Sequence, residues 1–130
     1  MAWDTSDIDD SEIITQDGTF AYLFKASGTI YAGQSVAMKA DSTVIATSSG
    51  DDGIGVATMN TSHGSQMGVF GPGNMVYVAS DGAHAAGTAL YAGADGILTN
   101  TQSGTERIMA YVVEAGSLSS TNYKTKVLLV

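Results

Sequence analysis

The chain of 130 residues contains no cysteine, a single proline and only five lysine or arginine residues. The lack of cysteine excludes a disulfide framework and thiolate metal sites, and it leaves the redox compartment open. No stretch approaches 18 consecutive apolar residues, so the sequence predicts no membrane-spanning helix. The first residues lack a basic segment followed by an apolar run, which indicates no signal peptide. These absences predict a soluble protein made in the cytoplasm.

Charged residues are scarce, and most of those present are acidic. They make up 14% of the chain, and 13 acids against five cations give a net charge of −8. A typical globular domain has roughly 25% charged residues. An acidic surface repels phosphate, so nucleic-acid binding and attachment to anionic lipid are both disfavoured. A weakly charged surface rich in glycine, serine and threonine is common in proteins that pack against copies or partners.

One sequence pattern occurs twice, 54 positions apart. Eight of the 23 residues from 32 to 54 are identical at 86 to 108. The identities fall mostly on turn residues such as Ala32-Gly33 and Ala86-Gly87, while the positions between them stay apolar. Turns are restricted in residue type by backbone geometry, whereas strand positions need only remain apolar. The pattern therefore predicts a duplicated small β-barrel or β-sandwich, with repeat halves at about 30–59 and 84–113.

The residues after Gly18 follow a β pattern throughout, and no window shows a sustained helical period with caps. We predict an all-β domain over 18–130 with about ten short strands separated by turns. The apolar C-terminal segment is expected to pair inside a sheet, and Gly71-Pro72-Gly73-Asn74 is predicted to close a hairpin. The predicted strands are 19–25, 34–39, 43–47, 54–59, 66–70, 75–79, 88–91, 97–99, 107–114 and 123–130.

Residues 1–17 form a distinct acidic segment. Five of the 13 acids lie among its first twelve residues. The apolar residues between them do not keep a period of 3.6, which favours an extended N-terminal arm over a helix. We predict that this arm contacts a partner through four apolar side chains that are too isolated among acids to join the core: Trp3, Ile8, Ile13 and Ile14.

Residue types that support catalysis or metal binding are present but not grouped. His63 and His84 stand alone in small-residue loops without a carboxylate or second histidine at metal spacing, and a zinc site needs three or four ligands. Asp51-Asp52-Gly53 and Asp81-Gly82 lack the glutamate that an EF-hand loop requires at its twelfth position, so turn chemistry is favoured. No phosphate-binding loop or nucleophile elbow occurs. The sequence predicts no enzyme, no cofactor and no resident metal, although a weak calcium site between subunits remains open.

Three aromatic residues alternate in the first predicted strand. Phe20, Tyr22 and Phe24 share one face because side chains in a strand alternate with a period of two. Such a stripe is consistent with stacking on a sugar, but a strand that covers a core shows the same pattern. The core interpretation is favoured.

The order of these short motifs resembles that of small capsid decoration, or cement, proteins of tailed phages and related viruses. The motif order is AG-x-x-V, then IGVA, then V-x-V-x-G-x-V, and the second copy resembles a following AG-x-x-L and ADG. The residues that carry it are 30–36, 51–57, 69–71, 75–78, 86–91 and 94–96.

The resemblance implies a virion structural protein that binds the outer surface of an assembled capsid, often as a trimer, and holds neighbouring capsid subunits together. The implied partners are the major capsid protein and two further copies of the chain, with no catalytic residues. The location implied is the outside of a capsid, after synthesis in the host cytoplasm.

A second function remains open at this point. The chain could be a carbohydrate- or receptor-binding module of a virion spike or fibre that uses its aromatic residues and its loops of glycine, serine and threonine. Tyr91 and Tyr123 are the aromatic candidates for such a site.

Overall fold

The computed structural model describes residues 21–119 and 122–130, which form nine β-strands and one short 3-10 turn at Ala94–Gly96. The prediction of an all-β fold is confirmed. Residues 1–17, predicted as an extended arm, lie outside the described residues. The strands are β1 (Ala21–Ala26), β2 (Ser35–Ala40), β3 (Thr43–Ala46), β4 (Gly55–Ala57), β5 (Gln66–Phe70), β6 (Met75–Ser80), β7 (Ala89–Leu90), β8 (Ala110–Ser119) and β9 (Asn122–Leu129).

The first five strands close into a barrel in the order β1-β3-β2-β4-β5. All neighbouring pairs are antiparallel except β1 and β3, which are parallel. The turn between β2 and β3 needs a left-handed residue, and Ser42 supplies it with a φ of 53°. Closure leaves the interior covered by strands on all sides, so the side chains that point inward can pack together.

The last four strands form a sheet in the order β6-β9-β8-β7. The segment at Leu98 and Thr99 links its two edge strands. Ser80, the last residue of β6, forms an isolated β-bridge with Leu98, and Tyr91, which follows β7, forms one with Thr99. The sheet therefore curls into a half-barrel. The C-terminal strand β9 lies between β6 and β8, which confirms that this apolar segment is paired inside a sheet.

The half-barrel repeats the backbone pairing of the barrel. The bridge between Tyr91 and Thr99 lies 54 residues after the pair Ala37 and Ile45, and the parallel bridge between Ser80 and Leu98 lies 54 residues after Ala26 and Val44. The repeated turns also agree, since φ is 92° at Gly33 and 91° at Gly87. The internal duplication thus extends to the strands β1 and β6 that open each half, while the predicted limits 30–59 and 84–113 remain predictions.

The predicted hairpin across Gly71–Asn74 is wrong. β5 does not pair with β6, because both edges of β5 are already occupied by β1 and β4. β6 pairs instead with β9. The turn therefore links barrel to half-barrel, and it is fixed by an Asn74 side-chain bond to the Gly71 carbonyl at 3.0 Å.

The core consists of two clusters of buried side chains. The smaller cluster fills the barrel around Ile30, Val36 and Val44. The larger one fills the half-barrel and also takes in Val56 and Phe70 from the barrel strands. Because the larger cluster draws on both halves, barrel and half-barrel pack as one hydrophobic unit.

The predicted strand at 97–99 is the weakest match to the structure. This segment makes two isolated bridges rather than a strand of its own. It follows the 3-10 turn, where Asp95 takes a φ of 57° and Gly96 a φ of 70°.

No helix among the described residues is long and apolar enough to cross a membrane.

Candidate partner-binding surfaces

The histidines and acidic turns occupy structural positions. His63 accepts a hydrogen bond through Nδ1 from the Gly28 amide at 2.8 Å. The expectation that His84 has no nearby carboxylate is wrong, because its Nε2 lies 2.7 Å from Asp81 Oδ1. A single imidazole and carboxylate fall short of a metal site, and no group of three possible ligands occurs within residues 21–119 and 122–130.

Glu106 is the acidic side chain most firmly held by the loop it belongs to. Its two carboxylate oxygens accept hydrogen bonds from the amides of Ser103 at 2.9 Å and Gly104 at 2.8 Å, and from the Ser103 hydroxyl at 3.1 Å. The hydrogen bond from the Ser103 amide favours the charged carboxylate and lowers the pKa of Glu106 below its ordinary value. Next to it, Arg107 donates to carbonyls of Gly53 and Val130. Glu106 and Arg107 thus order the loop before β8, and Arg107 ties this loop to the barrel portion through Gly53.

We expect Glu106→Gln to lower the thermal unfolding midpoint at neutral pH, because an amide nitrogen would face backbone donors. The lowered pKa means that the carboxylate stabilises the fold above the ordinary glutamate pKa of about 4.3. That contribution is lost as the pH falls through the lower pKa of the folded state. The difference between wild type and variant should therefore shrink from pH 7 towards acid. Melting curves across this range check it, with the exposed Glu114→Gln as the matched control, and equal midpoints at pH 7 would contradict it.

The described surface includes two grooves that are partly open to solvent. One, of about 300 Å3, is lined by Asp81 with small and hydroxyl residues including Thr99 and Ser103. The other, of about 350 Å3, runs between β1 and the β2–β3 turn and is lined by Leu23, Lys25 and others. The first offers hydrogen bonds without an aromatic platform. The second is continuous with exposed apolar side chains, which makes it the better candidate for contact with a protein.

Three exposed side chains of β1 are here called the β1 rim (Tyr22, Leu23 and Lys25). Tyr22 is 58% and Leu23 69% exposed, although they point to opposite faces of the strand. The expectation that the aromatic stripe covers a core is therefore wrong at Tyr22. Phe24 does pack against the barrel core, and Phe20 lies outside the described residues.

A second apolar surface is the outer sheet face of the half-barrel (Tyr77, Tyr111, Lys124, Lys126 and Leu128). Leu128 and Tyr111 are direct cross-strand partners and are each more than one third exposed. Lys126 lies 3.3 Å from Glu114, and the Lys124 ammonium lies 5.3 Å from the centre of the Tyr77 ring. An apolar centre with charges beside it is a common composition for a protein interface.

The sequence-predicted contact residues are not tested by the structure. Trp3, Ile8, Ile13 and Ile14 lie outside the described residues. Of the aromatic candidates for sugar binding, Tyr91 and Tyr123 are both half-buried within sheet pairs and do not line either groove. Sequence analysis missed the β1 rim and the outer sheet face, because alternation shows which residues share a face but not whether another element covers that face.

The fold is similar to that of a solved phage protein. The crystal structure of the head fibre gp8.5 N base in bacteriophage phi29 matches with a TM-score of 0.61 at 18% sequence identity, covering 83% of this chain and 92% of that chain. No protein-family model and no curated protein matches the sequence. At this level of identity the likeness establishes a shared fold, and it extends over nearly the whole of the other chain.

Proposed function

We propose that this chain is a virion structural protein bound to the outer surface of a viral capsid, as a decoration subunit or the base of a head fibre. The observation that carries the proposal is the likeness in fold to the phi29 head fibre base. The motif order in the sequence supports the same class of protein independently, since it resembles capsid decoration proteins.

The partners we propose are the major capsid protein and two further copies of the chain. A closed trimer would engage several capsid subunits at once, so each contact can be weak while the effective concentration keeps the assembly bound. The β1 rim and the outer sheet face offer exposed apolar side chains for such contacts. A net charge of −8 also suits the outside of a shell, because packaged nucleic acid would repel it.

The arm supplies the proposed capsid contact. Residues 1–17 carry six of the 13 acids and no lysine or arginine, so the remaining 113 residues have seven acids and all five cations. The excess negative charge is therefore concentrated ahead of the folded domain. Trp3, Ile8, Ile13 and Ile14 give this charged segment apolar anchors, and an extended segment with such anchors binds by adding to a groove or sheet edge of its partner.

Deleting residues 1–14 is expected to leave a domain that still unfolds cooperatively but binds capsids at least about tenfold more weakly. Co-sedimentation with purified capsids of the virus that encodes the chain measures the occupancy. A full-length double variant, Trp3→Ser with Ile8→Ser, should lose binding as well. The matched control replaces Asp9 and Asp10 by asparagine, which keeps the anchors. Wild-type occupancy of the deleted protein would refute the arm as the contact, and absence of capsid binding by the intact chain would refute the function.

A further inference from the structure

The groove of about 300 Å3 lies where the barrel meets the half-barrel and is here called the junction groove. Ser49, from the loop between β3 and β4, and Ser103, from the loop before β8, both line it. These serines belong to the Ser-Gly dipeptides that repeat 54 positions apart. A methyl group on Gly50 would lie 3.7 Å from Ser103 Oγ, so the two loops are neighbours. The groove is therefore formed by the packing of one duplicated half against the other.

Hydrogen bonds fix the walls of the junction groove. The Thr47 hydroxyl donates to the Gly93 carbonyl at 2.9 Å, and the Gly96 amide donates to the Thr47 carbonyl at 3.0 Å. Tyr91 and Thr99 exchange two backbone hydrogen bonds, at 2.8 and 3.0 Å. A wall held in this way needs little ordering when a ligand binds, which lowers the entropic cost of binding.

Within the described part of the chain, Asp81 is the one charged side chain that lines the junction groove. Its backbone amide donates to the Leu98 carbonyl at 3.0 Å, and its Oδ1 accepts a hydrogen bond from His84 Nε2 at 2.7 Å. The side chain is 47% exposed, and its Oδ2 has no hydrogen-bond partner among the described residues. His84 thus holds one carboxylate oxygen in place and leaves the other able to accept hydrogen bonds from a ligand.

Hydroxyl groups supply further polar atoms to the groove. The Ser103 hydroxyl donates its proton to Glu106 at 3.1 Å, and the Thr101 hydroxyl donates to Asn100 at 3.4 Å, so both oxygens keep lone pairs for a ligand. The exposed Ser49 hydroxyl has no partner in residues 21–119 and 122–130, so it can donate as well as accept. The groove therefore offers several acceptors and at least one donor.

The lining residues restrict the chemistry of a ligand. No lysine, arginine or histidine of the described chain lines the groove, so an anionic ligand would face a carboxylate without a counter-charge. A single carboxylate is a poor match for calcium, which takes about six to eight oxygen ligands. A neutral sugar does fit, because each of its hydroxyls both donates and accepts hydrogen bonds. Its C–H groups can pack against Ala94 and the half-buried Ile97.

We propose that the junction groove binds a neutral monosaccharide unit, whose hydroxyls donate to Asp81 Oδ2 and bond to the hydroxyls of Ser49, Thr101 and Ser103. A volume of about 300 Å3 is at the lower end of the range for small-ligand sites, about 300–1,000 Å3. No aromatic ring of the described residues lines the groove, so the expected dissociation constant is about 1 mM. This binding goes beyond capsid attachment and does not depend on it.

NMR titration of the full chain tests the site, with glucose, galactose and N-acetylglucosamine as neutral probes and glucuronate as an anionic one. At least one neutral sugar should shift the amide signals of the groove residues, and glucuronate should bind at least about tenfold more weakly. Asp81→Ala should weaken sugar binding at least about tenfold, and Ala94→Phe should fill the groove and abolish it. The matched controls are Asp41→Ala, an exposed acid outside this groove, and Ala115→Phe, an exposed alanine of β8.

The absence of shifts with every neutral sugar would overturn the proposal, and so would shifts confined to residues outside the groove. Glucuronate binding as tightly as the neutral sugars would contradict the selectivity. Shifts at the groove with methylammonium but not with sugars would assign it to a basic side chain of a partner instead. Thermal unfolding checks that each variant is folded. Ala94→Phe should co-sediment with capsids like the wild type, so failure of the sugar site and failure of the proposed function can be told apart.

Discussion

Replacing Gly55 by alanine is expected to destabilise the domain by about 3 kcal/mol, at the upper end of what overpacking a core costs. Gly55 is buried in β4, which lies between β2 and β5. A methyl group there would overlap the Phe70 carbonyl oxygen and lie 2.7 Å from a Val69 methyl group. The carbonyl cannot move away, because Phe70 is held by β1 on one side and β4 on the other.

Thermal unfolding measures this effect, and we expect a midpoint roughly 10 °C below wild type. Gly71→Ala is the matched control, since its added methyl group would meet the Tyr22 ring at 3.6 Å, an ordinary contact. That variant should melt within a few degrees of wild type. If the two variants melted alike, close packing of β4 against β5 would not be what requires glycine at position 55.

Replacing Leu98 by alanine is expected to cost about 2–5 kcal/mol, the range for removing a large aliphatic side chain from a core. Leu98 is fully buried in the larger core cluster. Its backbone also joins the edges of the half-barrel, since its amide donates to Ala79 at 2.9 Å and its carbonyl accepts from Asp81 at 3.0 Å. Loss of the side chain would leave a cavity beside the bridges that curl the sheet.

The measurement is chemical denaturation, in which the midpoint should fall while the slope stays unchanged. Leu118→Ala removes the same atoms from a side chain that is 63% exposed, and it should change stability by less than about 0.5 kcal/mol. A loss at Leu118 as large as that at Leu98 would mean that Leu118 is covered in solution, which would point to an oligomer contact at the end of β8.

The positions of most strands could be predicted from the sequence because short apolar segments lie between turns that have characteristic residue types. The duplicated Ala-Gly turns at Gly33 and Gly87 take the same positive φ, so identity in the sequence did reflect identity in the backbone. Pairing partners could not be predicted in the same way. Gly71–Asn74 has the composition of a hairpin turn, yet it connects two strands that pair elsewhere, since β5 has no free edge.

The alignment of the two copies shows a second limit. Ile54 and Ile108 are identical residues at the repeat distance. In the pattern of backbone hydrogen bonds, however, Met109 is the equivalent of Ile54. The Ile54 amide donates to Val36, and the Met109 amide donates to Leu90, which is the counterpart of Val36. The second copy is therefore one residue longer before β8. A single inserted loop residue leaves no trace in an ungapped comparison.

For the candidate surfaces, sequence reasoning located apolar side chains but not their environment. Tyr22 was expected to cover a core because it alternates with Phe24, and it is instead exposed where β1 extends beyond β3. Whether a strand face is covered depends on the length of its neighbours, which residue patterns within that strand do not record.

The larger core cluster has a consequence for how the duplicated halves behave. Val56 and Phe70 belong to barrel strands but pack among side chains of the half-barrel, and the Ala79 amide of β6 donates to Gly33 at 2.9 Å. Either half expressed by itself would expose apolar surface and leave backbone groups without partners. The repeats are therefore not interchangeable modules that can be excised or multiplied, and we expect the two halves to unfold together in one cooperative transition.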